Sequence, residues 1–227
     1  MMDIAVVGGT GAEGFGLTLR LAAAGHHVTI GSRDATRGAE AAGRAVETLG
    51  GGAIDGTSNE ESVPGKDLVV VTVPFAGQAD IYRPLKGQID DGAVVLDATS
   101  PLATAVGGKA WQVVRPWHGS AAEQAAAILG PGPRMVAGFH TIAAKALTDL
   151  ASPIESDVMV CGDDAEAKAL VGGVIEQIPG MRWVDCGALS MARITETLTA
   201  LLISVNRQYK VKESGFRIEG RETWGRP

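Results

Sequence analysis

Asp3-Ile4-Ala5-Val6-Val7-Gly8-Gly9-Thr10-Gly11-Ala12-Glu13-Gly14 is the stretch on which the fold turns. A short apolar run suited to a buried strand passes directly into a glycine turn. The residues that follow, about Glu13 to Ala24, read as a helix that stops at Gly25. Gly9, Gly11 and Gly14 fit G-x-G-x-x-G between a strand and a helix, the setting in which that spacing has a physical purpose. The first glycine permits a tight turn, the second lets a pyrophosphate approach the backbone, and the third lets the helix lie close to the sheet. The helix N-terminus then turns unpaired N–H groups and a partial positive charge toward the anion. Thr10, Ala12 and Glu13 fill out this expected cofactor cradle. Glu13 sets a carboxylate beside the pyrophosphate, which is unfavourable unless it points away.

Working outward, His27 to Gly31 reads as the second strand. Where NAD is preferred, an Asp or Glu at the end of that strand, about 20 residues past the glycines, holds the ribose hydroxyls. Here the position is Gly31, followed by Ser32 and Arg33, with Arg37 one helical turn further on. Two guanidiniums and a hydroxyl in place of a carboxylate suit the 2′-phosphate of NADP, which they can meet with charge-assisted hydrogen bonds. Asp34 reads as a cap for the next helix.

The same alternation continues along the chain. Ala35 to Leu49 is an expected helix and Ala53 to Thr57 a short third strand. Asp67 to Val73 is a fourth strand, with a continuous Leu-Val-Val-Val-Thr-Val run as when both faces are covered. Phe75 to about Ile89 reads as helix and Ala93 to Ala98 as a fifth strand. Thr99 to Gly119 is an irregular loop over the site, of a length that usually carries function. After it come a helix from Ser120 to Leu129, a strand at Met135 to Phe139, a short helix after His140, a strand at Asp157 to Cys161, and a helix from about Asp164 to Ile178. Arg182 to Asp185 would close the sheet. A long helix from Ser190 to Tyr209 carries an apolar stripe, which either packs within the monomer or continues into a dimer interface. The expected architecture is α/β: a Rossmann-type doubly wound, mostly parallel sheet with a small C-terminal α/β extension ending in a long helix. Residues 1–132 form the expected NADP-binding domain. Residues 133–227 form a smaller portion completing the second half of the site and a homodimer interface.

Composition sets limits on partners. A net charge of −6 over 227 residues argues against general affinity for nucleic acid or anionic membrane, so anions must be bound locally. No stretch approaches the ~20 apolar residues needed to cross a bilayer, and the expected location is the cytoplasm. Cys161 and Cys186 lack the paired spacing of a metal site or disulfide framework and read as reduced core thiols.

Several segments resemble the NADP oxidoreductases of the deazaflavin coenzyme F420. They are Val7-Gly8-Gly9-Thr10-Gly11, Gly31-Ser32-Arg33, Thr72-Val73-Pro74, His140-Thr141-Ile142, Cys161-Gly162-Asp163-Asp164 and the stretch from Asp185 to Asn206. The resemblance implies reversible hydride transfer between NADP(H) and coenzyme F420. It places Thr10 to Glu13, Ser32, Arg33, Arg37, Val73 and Ala144 against NADP, and His140, Thr141 and Ile142 near the two reacting rings; Pro74, which ends the fourth strand, is a further candidate cofactor contact. Ala143 stands where the family carries a proline.

No nucleophile–base arrangement, metal-ligand spacing or obvious carboxylate pair is evident. Direct hydride transfer between two cofactor rings needs none, because the cofactors carry the chemistry and the protein positions them. No residue is therefore expected to be catalytic. His140 either orients a ring or caps the following helix. Thr99, Ser100 and Pro101, ending the fifth strand, either border the nicotinamide or only form a turn. Two other functions remain open: an NADPH-dependent reductase of a small imine or carbonyl substrate, and a non-enzymatic NADPH sensor. Reductases such as those of pyrroline carboxylate finish their sites with a long helical domain, whereas only Lys210 to Pro227 follows the last helix here. The sensor reading rests on Gly8, Gly11 and Gly14, which also fit G-x-x-G-x-x-G.

Replacing both Arg33 and Arg37 by Ala is expected to raise the Kd for NADPH about 30-fold while leaving that for NADH within about threefold. Isothermal titration calorimetry with the two nucleotides measures this. Equal losses for both would remove the phosphate role.

Overall fold

The computed structural model describes residues 1–221 and Trp224. The expected C-terminal portion, 133–227, therefore ends in residues that lie partly outside the described ones. Eight strands form one sheet: β1 (Asp3–Val7), β2 (His27–Ser32), β3 (Ile54–Ser58), β4 (Leu68–Val71), β5 (Val94–Asp97), β6 (Arg134–Ala137), β7 (Asp157–Gly162) and β8 (Arg182–Asp185). Their spatial order is β3-β2-β1-β4-β5-β6-β7-β8. Neighbours are parallel except β6 and β7, which pair antiparallel through Val136 with Gly162 and Ala137 with Cys161.

Nine α-helices connect and cover the strands among the described residues: α1 (Ala12–Ala23), α2 (Ala35–Leu49), α3 (Asn59–Ser62), α4 (Phe75–Leu85), α5 (Ala121–Leu129), α6 (Ala144–Thr148), α7 (Ala165–Ile175), α8 (Ala192–Thr195) and α9 (Leu198–Tyr209). The β1 strand shows why the central strands are apolar throughout. Ile4 and Val6 join Leu17 and Leu21 of α1 on one face, while Ala5 and Val7 join Tyr82 and Leu85 of α4 on the other. Both faces are buried, so no polar alternation survives. A smaller cluster seats α2 on β2 and β3 through Ile30, Ala41, Ala45 and Ile54.

From β3 the chain crosses back over β1 to lay down β4 on its far side. The strand order reverses there, and open α/β sheets bind ligands in the crevice outside such a point. The glycine turn after β1 lies at this place.

Helix α1 is held from the opposite side by Arg20, whose buried guanidinium donates to the carbonyls of Ala146 at 2.9 Å, Leu147 at 3.0 Å and Ser152 at 3.0 Å, and also to that of Asp149. One side chain thus satisfies carbonyls along and beyond α6, which are costly to leave unpaired away from water.

Several boundaries differ from the sequence reading. Helix α4 ends at Leu85, immediately after Pro84, with Gly87 at φ 77° turning the chain away. The loop at residues 99–119 contains a 3-10 turn at Ala103–Val106 and a bridge between Leu102 and Val113. Its Trp111 lies under the guanidinium of Arg207, 4.2 Å from the ring centroid, which ties the loop to α9. The single helix expected from Ser190 to Tyr209 is a 3-10 turn at Leu189–Met191 followed by α8 and α9, with a break at Glu196 and Thr197. The break lets the Glu196 carboxylate reach another helix, as described below. Among the described residues no helix is long and apolar enough to cross a membrane.

Candidate functional site

The turn after β1 is shaped by contact. Gly8 adopts φ 75°, and its N–H is accepted by Asn59 Oδ1 of α3 at 3.2 Å. A Cβ on Gly14 would sit 2.4 Å from Thr72 Oγ1 and 2.7 Å from the Cα of Gly9, so any side chain would force α1 off the sheet. At Gly11 the same atom would meet nothing closer than 3.4 Å. The backbone there is open to the crevice, as a pyrophosphate requires.

A cavity of about 470 Å³ opens at this point. Of the residues expected to hold NADP, it brings together Thr10, Gly11, Ser32, Arg33, Arg37, Val73 and Pro74. Gly8, Asn59, Thr72 and residues of the first turns of α4, among them Asp80, also line it. Arg33 and Arg37 are exposed and, among the described residues, make no ion pair. Two guanidiniums free of carboxylates at the cavity edge are available to an incoming phosphate. Asp34 caps α2 by accepting from the N–H of Arg37 at 3.0 Å, so its charge is spent on the helix. The cradle, the volume and the free cations fit a phosphorylated dinucleotide.

Gly9, Ala12, Glu13 and Gly14 support this cavity without lining it. Glu13 is half-buried in the first turn of α1, and burial followed by the charge of Asp97 pushes it up to about 8. It is therefore mostly uncharged at neutral pH, which removes the conflict with a pyrophosphate that its position in the motif suggests.

Thr99, Ser100 and Pro101 stand outside this cavity as well. Thr99 turns inward: its N–H donates to Asp97 Oδ1 at 2.9 Å and its hydroxyl to Oδ2 at 3.3 Å. Asp97, fully buried at the end of β5, also accepts from Tyr82 Oη at 2.7 Å and Gln78 Nε2 at 3.0 Å. Burial still wins over these bonds and pushes its carboxyl up to about 6. Pro101 is buried, and the Ser100 hydroxyl meets that of Thr199 on α9 at 2.7 Å.

His140, Thr141 and Ile142 gather at a second cavity of about 190 Å³, closed by Thr199, Leu202, Ile203 and Asn206 of α9 and by Lys212 and Ser214 beyond it. Ala144, expected against NADP, lines this cavity and not the first, because it opens α6 directly after that segment. His140 is only 7% exposed, and neither ring nitrogen has a hydrogen-bond partner of good geometry. Burial pushes it down to about 4, so the imidazole is neutral at physiological pH. Both nitrogens are buried beside the cavity, and the neutral ring carries one donor and one acceptor there. Among the described residues no group of His, Cys, Asp and Glu could hold a metal ion, and both cysteines are free, Cys161 buried and Cys186 half-buried.

Comparison with known proteins shows the family. The sequence model of a family described as "NADP oxidoreductase coenzyme F420-dependent" matches residues 3–101. The F420-dependent NADP reductase of Methanothermobacter thermautotrophicus is 40% identical over 96% of this chain and 95% of its own. That of Methanocaldococcus jannaschii is 38% identical over 97% of this chain and 100% of its own. The chain belongs to this family. A solved protein from Arthrobacter sp. FB24, 24% identical, superposes with a TM-score of 0.82 over 96% of this chain and 99% of its own, and shows the shared fold.

Several residues lining the two cavities escaped the sequence reading. Asn59 had a local signal, since Ser58 and Glu61 form a capping box that starts α3 at the end of β3. Thr199 and Asn206 had none beyond their place on an expected helix.

His140 binds its proton less tightly in the folded chain than the ordinary value of about 6.5 in the unfolded one. Its burial therefore costs nothing above that pH and destabilises increasingly as pH falls toward 4, by about 3 kcal/mol at the lower end. The Tm of the natural protein is expected to fall more steeply between pH 6.5 and 4 than that of His140→Gln. Parallel curves in differential scanning fluorimetry would contradict a buried neutral imidazole.

Proposed function

We propose that this chain transfers a hydride reversibly between NADP(H) and the deazaflavin coenzyme F420. The observation that carries the reading is the near-full-length match to F420-dependent NADP reductases, which spans both the glycine cradle and the C-terminal part lining the second cavity. The two cofactors supply the redox chemistry, and the protein has to hold donor and acceptor carbons about 3–3.5 Å apart.

In this reading residues 1–132 bind NADP. The N–H groups at the start of α1 face the pyrophosphate, and Ser32, Arg33 and Arg37 take the 2′-phosphate. Val73 and Pro74, at the mouth of the first cavity, flank the nicotinamide half, with Thr99 to Pro101 forming the turn beneath it. Residues 133–227 complete the deazaflavin site. His140 holds a hydrogen bond to a ring edge, and Thr141, Ile142 and Ala144 wall the cavity and exclude water. Asp97 is buried away from the crevice and Glu13 does not line it, while Asp80, which does, is paired with Arg83.

The protein acts in the cytoplasm on small molecules, with no nucleic-acid or membrane partner. The net charge of −6 and the two free thiols agree with this. It is a homodimer. Ile194, Leu201 and Tyr209 on α8 and α9 are exposed, and Trp117 of the adjacent loop is 96% exposed, an apolar face costly to leave in water. Leu201→Glu is expected to halve the mass found by light scattering after gel filtration, and an unchanged mass would exclude this face as the interface.

Purified protein mixed with NADPH and oxidised F420 should bleach the visible absorbance of the deazaflavin in proportion to the NADPH oxidised. Riboflavin, FMN and a cyclic imine serve as comparison acceptors. Turnover of the imine without bleaching of F420 would replace the reading with that of a small-substrate reductase. Binding of NADPH without turnover of any acceptor would make it a sensor.

A further inference from the structure

Helix α5 begins where the long loop at residues 99–119 ends, and its first N–H groups need partners. Two of them are taken by a side chain far along the chain. Glu196 Oε2 accepts from the N–H of Ala121 at 2.8 Å, and Oε1 from that of Ala122 at 2.9 Å. The carboxylate is fully buried and lies in the break between α8 and α9. Burial pushes this carboxyl up to about 8 while the two N–H bonds pull it down; the geometry, with both oxygens accepting at a helix N-terminus, is that of the ionised form. The carbonyl of Ala121 is gripped as well, by Gln78 Nε2 at 3.0 Å, and Gln78 also holds Asp97.

Three residues after Glu196, Thr199 donates its hydroxyl to the carbonyl of His140 at 2.7 Å. With that hydrogen spent, Ser100 must be the donor in the 2.7 Å contact between the two hydroxyls. The start of α9 therefore grips both ends of the loop, Ser100 at its beginning and the first turn of α5 just past its end, together with the backbone of His140. Of these, His140 and Thr199 line the second cavity, and Ser100 packs directly behind Thr199.

We infer that Glu196 is a positioning residue: by clamping the first turn of α5 it fixes the start of α9, and so holds Ser100 and His140 in the register that brings the two cofactor rings together. This rests on the function proposed above. The binding of the phosphate end of NADP, across the crevice at Ser32, Arg33 and Arg37, does not depend on the clamp.

Glu196→Gln tests it. A carboxamide has one acceptor oxygen and sets its NH2 against the second backbone N–H, so one of the two bonds must open. The expected result is a fall in kcat of about tenfold or more and a raised KM for F420, with the Kd for NADPH unchanged within about twofold. Hydrogen exchange should rise at Ala121, Ala122 and residues 99–101. Ser120→Ala removes the other side-chain cap of α5, which accepts from the N–H of Glu123 at 3.0 Å, and is the control for helix stability. It should lower Tm without the loss in kcat. If Glu196→Gln does not fold, Glu196→Asp, which keeps the charge but withdraws it by one methylene, carries the same test.

Wild-type kcat in the Glu196 variant would overturn the inference, as would an equal kcat loss in Ser120→Ala at equal loss of Tm. A wild-type protein that does not reduce F420 would instead remove the proposed function. The clamp is then decided by exchange alone: no increase at residues 99–101 in Glu196→Gln overturns it.

Discussion

Helix α1 touches its surroundings at contact distance on two sides, and the rest of the molecule is arranged around that fact. On one side Gly14 brings it against Gly9 and Thr72, where a Cβ would sit at 2.4 Å from a hydroxyl oxygen. On the other, a Cβ on Gly16 would lie 2.5 Å from that of Leu147 in α6. Arg20, one turn further along, then binds the carbonyls around α6. The first contact aims the helix N-terminus at the switch point between β1 and β4. The second places α6, and with it the His140–Ala143 segment, relative to the same helix. One element without side chains at two positions thereby sets the distance between the two cavities.

An acidic protein that binds a highly anionic cofactor has to separate its charges. Here the cations stand at the end of β2, where Arg33 and Arg37 are exposed and unpaired among the described residues, while of the nearby carboxylates Asp80 is paired with Arg83 and the others are withdrawn. Asp34 is committed to the N-terminus of α2. Glu13 and Asp97 are pushed up to about 8 and about 6 by burial, so the first carries little charge at neutral pH and the second is wrapped in hydrogen bonds. Local desolvation, not net charge, determines what the phosphates meet.

The second cavity is assembled differently. Its walls come from the turn after β6, from α9 and from the residues beyond it, all held by side-chain hydrogen bonds between segments far apart in sequence. Reversal of β7 against β6 accompanies this change. It ends the regular parallel repeat and lets the chain return to the crevice through α8 and α9.

The sequence alone carries the first half of the molecule. The apolar runs at β1, β4 and β5, the G-x-G-x-x-G turn and the substitution of Ser32-Arg33 for an acidic residue are all local patterns, readable because backbone burial and phosphate binding each need particular residues at short fixed spacings. Asp34 as a helix cap belongs with them. Only the tertiary structure decided that Thr99 faces Asp97 instead of the cavity, that Asn59 reaches back to Gly8, and that the last helix breaks at Glu196. Each of these depends on a partner dozens of residues away or on which side of a buried strand end is already filled. Periodicity along the chain is blind to such pairings, because a hydrogen bond between Glu196 and Ala121 exists only once the sheet has brought the two ends of the loop to one helix.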